Sequence, residues 1–245
     1  MSARRWHAPR WYSVLLTLFG IAVFFALGAW QVRRAHEKEA LFAAFDAAPR
    51  QAPITLAQAR KQASAQVYPL VEVTGSFDST HAYLLDDQVR GGKVGVMRWD
   101  VFEPSAGGPA LLVNRGFVPR DARGGLPTLP SPPAGVIHLQ GLYAPPPGAG
   151  LRLGGNALPR QAQWPKTTIY IDLGEIGADL GRGLDARVLL ETDAADAGTG
   201  FVRQWRPEVF PTERHYGYAF TWFAFCGVVV ATFLVLHWRR ESDRP

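Results

Sequence analysis

The sequence has little of what usually builds a disulfide scaffold, a metal centre or a catalytic site. Its 245 residues include one cysteine, Cys226, so an intrachain disulfide is excluded. The six histidines show no ligand-like spacing, which argues against a zinc site. The sequence contains no GxSxG elbow, HExxH motif, Walker loop or Rossmann fingerprint, and no nucleophile–base pair can be named. We therefore expect that the protein is not an enzyme.

The chain also lacks a large net charge, which is formally only +5 at pH 7. Many of the arginines flank two apolar runs, namely Arg4, Arg5, Arg10, Arg33, Arg34, Arg214, Arg239 and Arg240. A nucleic-acid groove would instead need a basic stripe along one element. The charge layout disfavours nucleic acid as a partner and favours the headgroups of membrane lipids.

What the sequence does have is two apolar runs, Trp11–Val32 and Tyr216–Trp238, and neither contains Asp, Glu, Lys or Arg. Each run has about 22 residues, which as a helix crosses roughly 30 Å of hydrocarbon. The runs predict an N-terminal and a C-terminal transmembrane helix that flank one extramembrane domain.

The flanking charges predict the topology of the chain. Short basic tails stay on the cytoplasmic side, whereas long loops are translocated largely regardless of their charge. We expect residues 1–10 and 239–245 to be cytoplasmic tails of a multi-pass inner-membrane protein. Residues 11–32 and 215–238 are the predicted spans, and 33–214 the predicted periplasmic domain. The alternative is a cleaved signal peptide with a small-residue site at Ala26 and Gly28, but the run is long for one.

The composition of the middle region predicts short β-strands, with Gly and Pro between them. The first helix is expected to continue through Arg33–Phe45, and Thr55 to cap a short helix through Lys61. One or two helical turns are expected over Gly174–Leu180. The predicted strands are Val67–Phe77, Ala82–Val89, Val94–Phe102, Ala110–Val118, Val136–Tyr143, Thr167–Leu173 and Arg187–Thr192. The expected fold class is a mainly antiparallel sheet or small barrel between two membrane helices.

His215 stands at the entrance to the second apolar run. On a helix, His215, Tyr218 and Trp222 share a face, so an imidazole is followed by aromatic rings. A neutral imidazole can ligate haem iron, and the nearby Arg214, Arg206 and Arg203 could meet propionates. An ordinary interfacial belt of aromatic residues explains the same pattern. The residues alone leave both interpretations open.

Two further motifs have structural and functional interpretations. In Asn114-Arg115-Gly116, a backbone turn after a strand Leu111–Val113 explains the glycine if its φ is positive. Arg115 could serve a structural salt bridge or a contact with a partner. Trp30 would anchor the first span at the headgroups, and Gln31 could bond across to the second span.

Three segments together resemble the Surfeit locus protein 1 family. They are Gly28-Ala-Trp30-Gln31-Val-Arg33-Arg34, then Val113-Asn114-Arg115-Gly116-Phe117-Val118-Pro119, then His215-Tyr-Gly-Tyr218-Ala219-Phe-Thr-Trp222-Phe223. They occur in the family's order within a two-span layout. Phe117 stands where the family usually has Trp, and Arg214 where relatives often have Asn.

The resemblance implies a role in assembling haem-copper cytochrome c oxidase. Bacterial members of the family are thought to bind haem a on its way to the catalytic subunit, and the histidine matching His215 is the proposed haem-associated residue. The expected partners are that catalytic subunit and haem A synthase. The alternative is a haem-independent chaperone or scaffold for an oxidase subunit. A membrane-anchored sensor or regulator and an outer-face hydrolase are less supported.

Overall fold

The computed structural model describes residues 4–62, 68–126, 128–148, 155–192, 200–205 and 211–240. The chain divides into two compact units, one made of Met1–Phe42 with Val209–Pro245 and the other of Ala43–Glu208. The first unit contains the long apolar helices, and the second contains the β-rich domain.

The elements follow one another along the chain as helices at both ends and strands between them. In order they are β1 (Arg4–Trp6), α1 (Trp11–Ala47), β2 (Ile54–Thr55), α2 (Leu56–Gln62), β3 (Leu70–Arg90), β4 (Lys93–Pro104), β5 (Ala110–Pro119), β6 (Ile137–Ala144), β7 (Lys166–Thr168), α3 (Leu173–Leu180), β8 (Leu184–Glu191), α4 (Thr212–His237) and β9 (Trp238–Arg240). Short 3₁₀ turns cover Ala48–Arg50 and Leu158–Arg160.

In the first unit, α1 and α4 pack along a seam that alternates steps of three and four residues. On α4 the less exposed positions are His215, Ala219, Trp222, Cys226, Val229 and Phe233. This is the spacing of a coiled-coil interface. Phe24 of α1 stacks on Trp222 with the ring centroids 5.9 Å apart. We call these facing positions of the two helices the helix seam.

The outward faces of both helices are apolar and exposed. In the most apolar stretch of each helix, only 6% of the residues are buried. By length and composition, both helices can cross a membrane. The predicted continuation of the first helix is confirmed, since α1 runs on to Ala47.

The second unit is a small closed barrel. Strands β3, β4, β5, β8 and β6 are hydrogen-bonded in that order, and β6 returns to β3. Most of these neighbours are antiparallel, but β5 and β8 are parallel, as are β2 and β7 with β3. The sheet is therefore mixed and not purely antiparallel, although antiparallel pairs are the majority, as expected. The chain between β5 and β8 contains β6 and α3, which is long enough for the crossover that a parallel pair requires.

Strand β3 unites two segments that the sequence predicts as separate strands. Its pairing with β4 shifts in register between Phe77 and Ala82. Such a bulge bends a strand. The first part of β3, Leu70–Gly75, pairs with β6, and the part from Gly75 onward pairs with β4. The bend lets one strand close the barrel. Residues 63–67, where the predicted first strand begins, lie outside the described part of the chain.

Both faces of the central strands are buried, since most residues of β4 and β5 are shielded from solvent. One face packs Trp99, Leu112 and Val188 against Ile176 of α3. The opposite face packs Leu111, Val113 and Leu189 with Leu56 and Ala59 of α2. The two short helices thus cover opposite sides of the barrel wall.

The caps of α2 and α3 decide where these helices begin. Thr55 Oγ1 accepts from the amide of Gln58, whose side chain accepts from the amide of Thr55, so the predicted cap is confirmed as a capping box. Asp172 accepts from the amides of Gly174 and Glu175. This cap starts α3 at Leu173, so the predicted strand Thr167–Leu173 is wrong beyond β7, which ends at Thr168.

The bulge of β3 is held by Asp78. One of its carboxylate oxygens accepts from the amides of Thr80 and His81, and the other lies 2.7 Å from His81 Nδ1 and 2.6 Å from Arg182 Nη2. Burial alone would raise the pKa of Asp78, but the hydrogen bonds from His81 and Thr80 outweigh it and lower the pKa to about 2.

We predict that Asp78→Asn lowers the unfolding free energy by about 2 kcal/mol at pH 7. A lowered pKa in the folded state stabilises the protein above the ordinary value of 3.8 and loses this effect as the pH falls toward 2. The difference from wild type should therefore shrink over that interval in denaturant titrations of the full chain. Asp87→Asn, at an exposed position in the second bulge of β3, is the control and should change stability by less than about 0.5 kcal/mol. A difference that stays constant down to pH 2 would contradict the assignment.

Candidate functional site

His215 lies in the first turn of α4 and faces α1 across the helix seam. Its Nδ1 is 2.8 Å from Oε1 of Gln31, and the pair is partly buried. A carbonyl oxygen only accepts hydrogen bonds, so Nδ1 donates and carries the ring proton. Nε2 then keeps its lone pair. The prediction that Gln31 reaches the second helix is confirmed.

Aromatic rings follow His215 along the helix seam. Trp222 lies two turns farther on and stacks on Phe24, which also contacts Phe225 at a centroid distance of 5.5 Å. Ala219, only 3% exposed, occupies the turn between His215 and Trp222. The histidine therefore stands at one end of a row of packed aromatic side chains.

Two of the predicted site residues lie outside this row. At 3.6 residues per turn, Tyr218 is about 60° around the helix from His215, whereas Trp222 is only about 20° away. Tyr218 is accordingly 58% exposed. Arg214 precedes His215 on α4 and is also exposed. Of the predicted aromatic face, only His215 and Trp222 belong to the helix seam.

The motif that ends the first apolar run places some residues on the surface and one residue at the contact between α1 and α4. Trp30 is half exposed, and Arg34 pairs with Glu37 of the same helix at 2.7 Å on the surface. A Cβ on Gly28 would lie 2.5 Å from the ring of Phe223, so this glycine lets α1 and α4 approach closely.

Sequence reasoning missed one polar contact beside the histidine. The Tyr216 hydroxyl donates to Glu39 of α1 at 2.9 Å. Glu39 lies two turns beyond Gln31, and this helical spacing is the signal that could have indicated it. His215 and Tyr216, two neighbouring residues of α4, thus each form a hydrogen bond with a polar side chain of α1.

The histidine offers one ligand atom and no chelate. Within the described residues, no group of three or more His, Cys, Asp or Glu side chains is placed to hold a metal ion. A neutral imidazole with its tautomer fixed by a second residue is a common arrangement for metal-ligating histidines. The chemistry available at this point is monodentate ligation through Nε2, next to aromatic surface.

The Asn114-Arg115-Gly116 motif lies within β5 and forms a β-bulge. Arg98 pairs with Gly116 and Trp99 with Asn114, so Arg115 is the extra residue. Asn114 Oδ1 accepts from the amide of Gly116 at 3.1 Å. The predicted strand Ala110–Val118 is confirmed as β5, and the chain forms a bulge at Arg115 where a turn after Val113 was expected.

The predicted positive φ of Gly116 is confirmed at +133°. A Cβ at this position would lie 2.9 Å from the Cβ of Phe201, so both the backbone angle and the close approach favour glycine. The neighbouring Phe117 exchanges backbone hydrogen bonds with Val202, which holds the segment 200–205 on β5.

Arg115 belongs to a buried network of charged side chains. It is 2% exposed, and its guanidinium lies 2.5 Å from Glu191 of β8 and 3.3 Å from Asp100 of β4. Arg98 pairs with Asp100 at 2.9 Å, and Arg203 with Glu191 at 3.2 Å. Of the two predicted roles for Arg115, the structure shows the structural salt bridge. We call these five residues the buried ion network.

Burial raises the pKa of Asp100, while the adjacent guanidinium groups of Arg98 and Arg115 oppose this. Arg203 also donates to the carbonyl of Arg115 at 2.9 Å, so this arginine is engaged within the domain. The sequence suggested Arg203 and Arg206 as further cations near His215. Arg206 lies outside the described residues.

These features define a class of protein with two span-length helices at its ends and one small β-barrel domain between them. The model of the SURF1 family matches residues 18–227, which covers most of both helices and the whole domain. The chain is also similar to a SURF1-like protein of Monosiga brevicollis, with 25% identity over 239 residues that cover 91% of this chain and 86% of that protein. The chain belongs to the SURF1 family, which is generally associated with cytochrome oxidase assembly.

We predict that Arg115→Met lowers the unfolding free energy by about 3–5 kcal/mol, because it removes one of the two arginine partners from each of the buried carboxylates of Asp100 and Glu191. Arg34→Met is the matched control, since its ion pair with Glu37 is exposed and should contribute less than about 1 kcal/mol. Denaturant unfolding of both full-length variants measures the difference. Equal losses in the two variants would show that Arg115 is not a structural residue.

Proposed function

We propose that this protein is a non-enzymatic assembly factor for haem-copper cytochrome c oxidase that holds haem a for insertion into the catalytic subunit. Haem A synthase is the proposed donor. The observation that carries the proposal is the contact between His215 and Gln31, because it leaves one imidazole nitrogen available as a ligand.

We further propose that α1 and α4 span the inner membrane, with both termini in the cytoplasm and the barrel domain on the outer side. The exposed apolar faces of the two helices support the insertion. The basic residues Arg4, Arg5, Arg10, Arg239 and Arg240 at the terminal ends support the orientation.

The residues around His215 fit a haem in three respects. Bound haem a would supply an iron with an axial position, a flat apolar ring and anionic propionates. Nε2 of His215 is oriented by Gln31 for ligation. Trp222 and Phe24 extend the apolar surface along the helix seam, and the exposed Arg214 adds a cation beside the histidine.

A single ligand suits a carrier better than a storage site. The described residues contain no group of three or more His, Cys, Asp or Glu side chains that could hold a metal ion. Ligation by His215 alone would give modest affinity, which suits a protein that has to release its cargo. In the proposed mechanism, the protein first holds haem a and then passes it to the catalytic subunit.

We predict that the wild-type protein, purified from cells that make haem a, shows a haem absorption band that His215→Ala loses or shifts. The reason is that the variant lacks the imidazole nitrogen that would hold the iron. His138→Ala, which removes an exposed imidazole on β6, is the control and should leave the band unchanged.

A His215→Ala protein with the wild-type band would remove His215 from the proposal. The abundance of assembled oxidase in the same cells separates the two candidate functions. Normal abundance with His215→Ala, together with a loss in cells lacking the protein, would favour the haem-independent scaffold.

The second test concerns the tautomer of His215. We predict that Gln31→Leu weakens haem retention by about tenfold, because residues that orient a metal-ligating histidine typically contribute this much to metal affinity. Gln31→Glu keeps an oxygen that accepts from Nδ1 and should retain the haem. Gln51→Leu, an exposed position in the domain, is the control. Haem retention equal in Gln31→Leu and wild type would contradict the role of Gln31.

A further inference from the structure

The two ends of the chain carry reversed copies of one short sequence. Residues 4–7 read Arg-Arg-Trp-His, and residues 237–240 read His-Trp-Arg-Arg. Strands β1 and β9 pair in an antiparallel direction, which places identical residues opposite one another. The register is Arg4 with Arg240, Arg5 with Arg239 and Trp6 with Trp238. We call this two-stranded element the arginine ribbon.

The arginine ribbon concentrates positive charge. Like charges directly opposite each other destabilise an antiparallel pair, and here two successive positions pair arginine with arginine. The first acidic residue of the chain is Glu37, and Glu241 and Asp243 are the acidic residues after Arg240. Residues 1–10 and 239–245 therefore hold six arginines against two carboxylates. A pairing of this kind is favourable when an external anion neutralises the excess.

The arginine ribbon directly continues the two span-length helices. Strand β9 begins at the residue after the end of α4, and the amide of His7 donates to the carbonyl of His237 at 2.9 Å. The ring of Trp6 contacts those of His237 and Phe233 at centroid distances of 5.9 and 6.3 Å. The backbone of the ribbon is thus fixed at the end of the helix seam.

Exposed aromatic side chains surround this end of the helices. Trp6 and Trp238 are 51% and 56% exposed, and Trp11 and Tyr12 are exposed as well. Arg10 donates to the Tyr12 hydroxyl at 2.9 Å, which adds an oriented cation to the aromatic set. Trp and Tyr beside cations are typical of the level of lipid headgroups.

We propose that the arginine ribbon, together with Arg10, binds the headgroups of acidic phospholipids in the membrane leaflet at this end of the helices. Guanidinium groups bind phosphate oxygens through paired hydrogen bonds, and an acidic leaflet supplies many such phosphates at the required depth. The site rests on the proposed insertion of α1 and α4 and is independent of haem. Its occupation fixes the depth of the helix pair.

The test uses the full chain in a neutral detergent, titrated with phosphatidylglycerol or phosphatidylcholine, and native mass spectrometry counts the lipids bound. We expect phosphatidylglycerol to bind more tightly than phosphatidylcholine. Each basic residue near an acidic surface contributes about fivefold to affinity, so Arg5→Gln combined with Arg239→Gln should weaken phosphatidylglycerol binding by about 25-fold.

Two matched double variants make the result specific. Arg33→Gln with Arg34→Gln removes the same charge at the other end of the first apolar run and should weaken binding by less than about threefold. Arg5→Lys with Arg239→Lys keeps the charge and should retain most of the affinity. Equal weakening by both glutamine pairs, or no preference for phosphatidylglycerol in wild type, would overturn the proposal. The haem band of the same preparations tests the haem proposal separately.

Discussion

The close approach of α1 and α4 is the constraint on which the candidate site depends. Gly28 presents no side chain to the ring of Phe223, so the two backbones come together at this level. Gln31, one turn farther along α1, then reaches His215 at 2.8 Å. Two polar side chains between apolar helices are costly unless they bond each other. The same contact therefore stabilises the helix pair and fixes which nitrogen of the imidazole carries the proton.

The barrel domain depends on a different interaction, the buried ion network. Arg115 of β5 contacts Asp100 of β4 and Glu191 of β8, so one side chain joins three neighbouring strands. Buried charges tolerate little displacement, because a carboxylate that loses its partner stays desolvated. The network therefore fixes Arg115 as the extra residue of the bulge in β5. The next residue, Gly116, adopts the positive φ that this bulge has.

Much of this architecture could be predicted from the sequence, because its signals are local. Apolar runs without charge mark α1 and α4, and the capping pattern of Thr55 and Gln58 marks α2. The parallel pairing of β5 with β8 could not be predicted, since it depends on how a long crossover packs. The continuity of β3 through its bulge was missed for a similar reason, because Asp78 looks like a turn residue until its partners are known.

The position of Tyr218 shows why the candidate site was only partly predictable. A helical face of about 60° contains His215, Tyr218 and Trp222, but the face that meets α1 is chosen by small residues, here Ala219 and Gly28. That choice turns Tyr218 outward and leaves His215 with one polar neighbour on α1. A histidine that is oriented by one hydrogen bond and binds iron through one nitrogen has a defined geometry but only a modest affinity for the haem. For a protein proposed to pass on its cargo, this combination allows recognition without tight retention.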